Sequence, residues 1–263
     1  MTAVRQESVT PYPFEEEIAS ANAPHRAGLG WYTTYSPRDA NGNRTCENVC
    51  VSDAPPPPPP QKLSKETDAD RAIADYLHTR IGKLAVDLFT GKSTDPTHIV
   101  GAFDPEWVSN LSLSDSRFAD RESNARFYLI DDNGGTEFYS APDMIGAYHH
   151  GKPRTQVYTS IDMLGGWPNA IAERLRWDVP EAEMIVSAYM SMAGDATFGR
   201  HRDTSPGVAM QLDGVKDWDI RGKKFTMRPG DALTIPRGVP HEVWTPENPG
   251  LSVHCLISAV ARG

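Results

Sequence analysis

The sequence predicts a mainly β protein: a double-stranded β-helix barrel with flanking N-terminal helices. Three observations lead there. From Ala182 to Ala259, short apolar runs alternate with turns rich in Gly, Pro and Asp, the pattern of an all-β barrel. Ahead of this region, Ala72, Ile73, Tyr76 and Leu77 recur at helical spacing. Finally, His201-Arg202-Asp203 and His241 sit where two such strands would carry polar side chains inward.

The elements follow in chain order. Residues 1–66 form an N-terminal extension with few periodic apolar positions, containing an acidic run at Glu15–Glu17 and a polyproline linker at Pro55–Pro60. Consecutive prolines favour an extended rod without internal hydrogen bonds. Trp31-Tyr32-Thr33-Thr34-Tyr35 is an aromatic cluster that would dock back on the domain or cover a pocket mouth. The main domain is then 67–263. Asp68-Ala69-Asp70 marks a helix start, with acidic residues at the end the helix dipole favours. Pro105–Val108 reads as a second, short helix. Arg126–Ile130 reads as a strand followed by a turn at Asp132–Gly135. Ala141–Tyr148 and Trp167–Leu175 are expected helices, with a strand at Gln156–Tyr158 between them.

Two motifs carry chemistry. In a strand, alternate side chains share a face, so His201 and Asp203 point into one space while Arg200 and Arg202 turn away. Gly230-Asp231 reads as a turn, Ala232–Ile235 as a short strand and Pro236–Pro240 as a second turn, after which His241-Glu242-Val243-Trp244 opens another strand. Adjacent strands would then bring His201, Asp203 and His241 together. Two imidazoles and one carboxylate are the donor set of a non-haem Fe(II) site with open positions. A structural zinc would close its fourth position and usually recruit cysteine.

Gly230–His241 resembles the second cupin motif. The stretch from Ile185–Tyr189 through His201-Arg202-Asp203 to Gln211–Trp218 resembles the core of JmjC/cupin-4-type Fe(II)/2-oxoglutarate-dependent oxygenases. The likeness is strong over about 183–258, weak over about 70–182 and absent before that. It implies an enzyme, a 2-oxoglutarate-dependent dioxygenase (hydroxylase), which uses O2 to hydroxylate a C–H bond. His201, Asp203 and His241 would be catalytic and would hold Fe(II). The cosubstrate-binding residues would be Lys216, Tyr189 and Thr197. Lys216 lies fifteen positions after His201, where the family commonly places the basic partner of the cosubstrate's distal carboxylate. Ser191, Ser252 and His254 are further candidates for the pocket. Trp218 shares the face of Lys216 and reads as a core aromatic or a pocket wall. The family's frequent hydroxyl three positions before the first ligand is Phe198 here.

The chain departs from the family in two further ways. Only 37 residues separate Asp203 from His241, so a barrel compact on that side is expected. It also ends 22 residues beyond His241, leaving no room for the dimerisation and winged-helix regions of the ribosomal hydroxylases. A ribosomal substrate is therefore not expected to carry over.

Composition bounds the rest. A chain of 263 residues, 39% hydrophobic, has enough apolar material for one sizeable core. A net charge of -9 argues against binding nucleic acid through phosphate neutralisation. No apolar run reaches membrane-span length and the polar N-terminus lacks a secretory signal's apolar core, so a cytoplasmic protein without a membrane partner is expected. Three cysteines fit a reducing compartment. Cys46 and Cys50 form a disulfide, half of a metal site or, more in keeping with the missing second ligand pair, neither, and Cys255 reads as a buried small hydrophobe. The expected partner is a peptide or small-molecule substrate, the latter amino-acid-like, with the oligomeric state open. Two other functions remain: a cosubstrate-independent metal cupin (dioxygenase or isomerase), and a non-catalytic ligand-binding cupin.

Overall fold

A computed structural model of the chain describes residues 31–35, 44–50, 66–109, 111, 126–131, 134–138, 141–151, 154–247 and 250–261. The polyproline run, the Glu15–Glu17 stretch and the first half of the expected 132–135 turn lie outside the described residues, as do the side chains at 31–50.

The strands are β1 (Trp31–Tyr35), β2 (Arg44–Cys50), β3 (His98–Ile99), β4 (Arg126–Asp131), β5 (Gly134–Phe138), β6 (Thr155–Thr159), β7 (Ala182–Ser191), β8 (His201–Asp203), β9 (Gly207–Asp213), β10 (Lys216–Ile220), β11 (Lys223–Met227), β12 (Ala232–Ile235), β13 (His241–Trp244) and β14 (Ser252–Ala261). Among the described residues they form two sheets. The larger runs β3-β12-β9-β14-β7-β6-β4-β5 and the smaller β1-β2-β8-β13-β10-β11. Pairing is antiparallel except where β2 runs parallel to β8, with Arg44 opposite His201 and Cys46 opposite Asp203. The 1–66 segment expected as a separate extension thus supplies two strands to the smaller sheet. The reason lies in backbone pairing: without β2, the outer edge of β8 would present unpaired N–H and C=O groups beside the site. Composition does not reveal that demand.

The central strands of the larger sheet, β12, β9, β14 and β7, are buried on both faces, and strand alternation divides them. Val186 and Ala188 on β7, Val208, Met210 and Leu212 on β9, and Cys255 and Ile257 on β14 join the helix-side core. The alternate residues Ala209 and Leu233 pack on the other side with Trp218, Ile220 and Val239. Cys255 is a free thiol, fully buried, as expected of a small hydrophobe. This two-sided burial is why these strands read as near-continuous apolar runs.

The outer face is covered by α1 (Asp68–Phe89) and by α4 (Gly166–Asp178), with α2 (Pro105–Ser109) and α3 (Ala141–His150) nearby. α1 begins where expected because Thr67 and Asp70 close a reciprocal cap: Asp70 N–H donates to Thr67 Oγ1 (3.1 Å) and Thr67 N–H to Asp70 Oδ2 (2.9 Å). Its stripe Ala74, Leu77, Ile81, Ala85 and Leu88 faces the core. α2, α3 and α4 end one to three residues beyond the sequence estimate, where the last residues are polar, whereas α1 continues to Phe89 along its apolar stripe.

The Gly230-Asp231 turn is an anchor. Asp231 accepts from Gly101 N–H (2.8 Å), Arg228 N–H (2.9 Å) and His98 Nε2 (3.1 Å), tying β3 to the β11–β12 turn. Gly214 leads into β10 at φ +60°, and a Cβ there would lie 2.1 Å from Leu251 O. Gly214→Ala is therefore expected to lower stability by about 3 kcal/mol, combining a positive φ with a backbone clash. Thermal denaturation measures this, and an unchanged midpoint would contradict the packing described.

Candidate metal centre

β8 and β13 are direct neighbours, and His201 is paired with His241. Cross-strand partners project to the same face, so both imidazoles enter the barrel, and Asp203 joins them by the period of two. Their rings lie 4.2 Å apart. Both histidines are buried, while Asp203 is partly accessible. One ligand atom from each of the three residues lies within 4.8 Å of the others. His201 Nε2 is 3.6 Å from Asp203 Oδ1, and His241 Nε2 is 3.4 Å from Asp203 Oδ2. These separations are long for hydrogen bonds and suit donors sharing a cation.

Outer contacts set the tautomers. His201 Nδ1–H donates to Gly199 O (2.8 Å) and His241 Nδ1–H to Val239 O (3.0 Å). This leaves each Nε2 facing Asp203, the orientation metal-binding histidines use. Gly238 N–H donates to Asp203 O (2.7 Å) and Arg202 to Gly238 O (3.2 Å), so the Pro236–Pro240 turn is pinned to β8. Arg200 reaches outward to Asp219 at 3.3 Å. The donor set fits a divalent transition metal with open positions: two imidazoles, one carboxylate and no cysteine.

The triad opens into a cavity walled by Tyr189, Phe198, Trp218, Val243, His254 and Leu256, among others. Trp218 is both a core residue and a wall, uniting the two roles expected of it. Tyr189 stacks on His254 at 4.7 Å with an interplanar angle of 2°. Trp218 meets the same imidazole edge-on at 5.5 Å. Burial, then the nearby Lys216 charge, pushes the His254 pKa well below the usual imidazole value, so this ring is neutral.

Lys216 is 2% exposed. Its Nζ donates to Ser191 Oγ and to Thr245 Oγ1, the latter at 2.9 Å. Among the described residues no carboxylate lies within ion-pair distance of it. Burial draws its pKa down to about 8, and the Asp195 charge partly offsets this. Asp195 is itself held by Met192 N–H (2.8 Å) and by Tyr148 O–H (3.0 Å).

The other expected residues are placed differently. Thr197 does not line the cavity. Its hydroxyl accepts from Gly199 N–H (3.1 Å) and shapes the turn into β8, because a loop residue is not bound by strand alternation. Ser191 and Ser252 also lie off the lining: Ser191 meets Lys216, and Ser252 accepts from Gln211 Nε2 (2.8 Å). Sequence reasoning missed Thr245 and Gln211. Thr245 shares the face of His241 and Val243 by alternation, and Gln211 is a lone amide in an apolar strand, so both signals were present.

Residues 188–257 match the cupin domain family. No curated protein matches the chain in sequence. Among solved structures, the Escherichia coli ribosomal oxygenase YcfD is similar at 20% identity and a TM-score of 0.44, covering 64% of this chain and 48% of its own. A structure of YcfD in complex with cobalt and 2-oxoglutarate is similar at 19% identity and a TM-score of 0.41, covering 64% and 49%. The chain therefore spans about half the length of these structures. A cupin 2 conserved barrel domain protein from Leptotrichia buccalis is similar at 19% identity and a TM-score of 0.27, covering 29% and 36%. No helix among the described residues is long and apolar enough to cross a membrane.

Replacing His201 or His241 by Ala is expected to weaken Mn(II) or Fe(II) binding by more than about 100-fold, since even outer-shell changes cost 10–100-fold. Anaerobic calorimetry measures both, and equal affinity in wild type and His201→Ala would remove the metal centre.

Proposed function

We propose that the chain is an Fe(II)- and 2-oxoglutarate-dependent oxygenase that hydroxylates a C–H bond of a peptide or protein side chain or of an amino-acid-like small molecule. The observation that carries this reading is the presence in one barrel of two features: an open His-Asp-His triad at a cavity, and, off the lining of that cavity, a buried lysine without a carboxylate partner among the described residues. A metal site alone would suit many cupins. A buried cation beyond it calls for an anionic ligand, because an isolated buried charge is costly.

His201, Asp203 and His241 would hold the iron, with Asp203 lowering the net charge of the site. Lys216 would receive the distal carboxylate of 2-oxoglutarate as a point charge. When bound, the iron and cosubstrate supply the oxidising power for hydroxylation with O2. The protein's part is to orient and to exclude water. Phe198, Tyr189, Trp218 and neutral His254 give the cavity apolar and aromatic walls, which strengthen charge interactions inside it. The geometry does not favour the cosubstrate-independent reading, which leaves Lys216 without a role.

The iron-loaded protein is expected to convert 2-oxoglutarate to succinate, with a substrate-derived product 16 Da heavier, read by NMR and intact mass over a peptide library and a cell extract. Metal-dependent product without 2-oxoglutarate consumption would favour the cosubstrate-independent cupin. No turnover and no 2-oxoglutarate binding would favour a ligand-binding cupin. Lys216→Met is expected to raise the Kd for 2-oxoglutarate by about 100-fold or more while metal affinity holds, since a buried carboxylate then lacks its partner.

Affinity should also depend on pH. Only the ammonium form of Lys216 attracts the carboxylate, and its pKa in the empty site is about 8. Binding is therefore strongest below pH 8 and weakens by about tenfold per unit above it. His254 does not reverse this sign, because its pKa is held well below the usual imidazole value and the ring stays neutral. A flat profile from pH 7 to 10 would contradict it.

A further inference from the structure

A second cavity, of about 490 Å³, opens at the carboxyl end of α1. Its floor is apolar, from Leu88, Phe89, Val179 and Val260, and its volume is in the range of small-molecule sites. Two opposite charges also line it: Glu181, just before β7, and Arg237, in the turn between β12 and β13. Among the described residues neither side chain forms an ion pair or a hydrogen bond. The end of α1 adds partial negative charge here, because no basic residue stands in its last turn to offset the terminal carbonyls.

This cavity adjoins the metal site. Ser205 lines both cavities. It stands two residues after Asp203, in the turn between β8 and β9, and is 8% exposed. Its hydroxyl makes no hydrogen bond among the described residues, and neither does that of Ser258, equally buried on the wall of the metal cavity. Buried hydroxyls are usually satisfied, so two unspent ones in the lining point to a polar ligand passing them. Arg237 is placed by the same contact that fixes the metal-site turn: the next residue, Gly238, donates its N–H to Asp203 O (2.7 Å). A ligand held by Arg237 therefore lies beside the strand that carries His201 and Asp203.

We propose that the second cavity binds a small amino-acid-like zwitterion and that the ligand's side chain reaches over Ser205 to the metal centre. Arg237 receives the carboxylate, and Glu181 with the carbonyl end of α1 receives the ammonium. The apolar floor holds the carbon skeleton. Charge complementarity selects this occupant. An internal peptide segment carries no backbone charge and would leave Glu181 and Arg237 unmet, whereas a free amino acid supplies both signs. As a statement about substrate, this rests on the oxygenase reading and narrows its two substrate classes to the small molecule. Binding of the zwitterion itself does not require that reading.

The test is anaerobic calorimetry of the full chain loaded with Mn(II), with and without 2-oxoglutarate. The probes are the common L-amino acids and, for each, its N-acetyl amide. At least one amino acid is expected to bind with a Kd of about 1 mM or below. Its N-acetyl amide, which lacks both backbone charges, should bind at least about 30-fold more weakly, a result that needs no variant to fold. Arg237→Gln and Glu181→Gln, both at exposed positions, are each expected to weaken amino-acid binding by about 10-fold while Mn(II) and 2-oxoglutarate affinities hold. With Fe(II) and O2, the same amino acid should gain one oxygen atom by mass. No binding of any amino acid, or equal binding of an amino acid and its N-acetyl amide, would overturn the zwitterion site. Binding that both variants retain and that metal removal abolishes is chelation at the triad, and would overturn it too. In each of these cases, continued turnover of 2-oxoglutarate with a library peptide leaves the oxygenase reading in place. Charge-dependent amino-acid binding in a protein that never binds 2-oxoglutarate would keep the site and remove the oxygenase reading.

Discussion

The pairing of His201 with His241 across β8 and β13 is the constraint on which the site depends. Cross-strand partners are held a few ångströms apart by the ladder itself, so no flexible loop has to find the second imidazole. The carbonyls of Gly199 and Val239 then fix both rings through Nδ1, and the turn around Gly238 is bonded back to Asp203. The two imidazoles are thus preorganised by backbone contacts, and rotating either ring would break a hydrogen bond before it could leave the site.

The second constraint is the buried charge of Lys216. Desolvation opposes the ammonium, and the structure offsets this with two hydroxyls and the more distant Asp195 carboxylate. Asp195 is in turn restrained by a backbone N–H and the Tyr148 hydroxyl on α3. A helix outside the barrel therefore bears on the electrostatics inside it. The neutral His254 between Tyr189 and Trp218 completes a wall that adds no competing charge.

These two ends can coexist because the sheets sort their side chains by alternation. On β7 and β14 one set of residues feeds the helix-side core and the other lines the cavity, while on β9 the other set includes Ala209, which packs with Trp218 and Ile220. The core side supplies cohesion through Val186, Met210, Cys255 and Ile257, and α1 and α4 seal it. Polar residues on the inner side bond to one another, as Ser187 does to Thr159, Gln211 to Ser252 and Lys216 to Ser191 and Thr245.

The sequence by itself determined the class of fold, most element positions and the triad, since these rest on local rules: period-two alternation, turn chemistry and a helix cap. Cys255 was legible as a core residue for the same reason. The tertiary structure alone decided what depends on long-range register. It brought β2 beside β8, although nothing local to 44–50 names its partner. It set Ser191 and Thr245, 54 positions apart, around Lys216. It turned Thr197 to its own loop, and it stacked Tyr189 on His254 through pairing of β7 with β14. Alternation tells which face a side chain takes, but only the closure of the barrel tells what lies across from it.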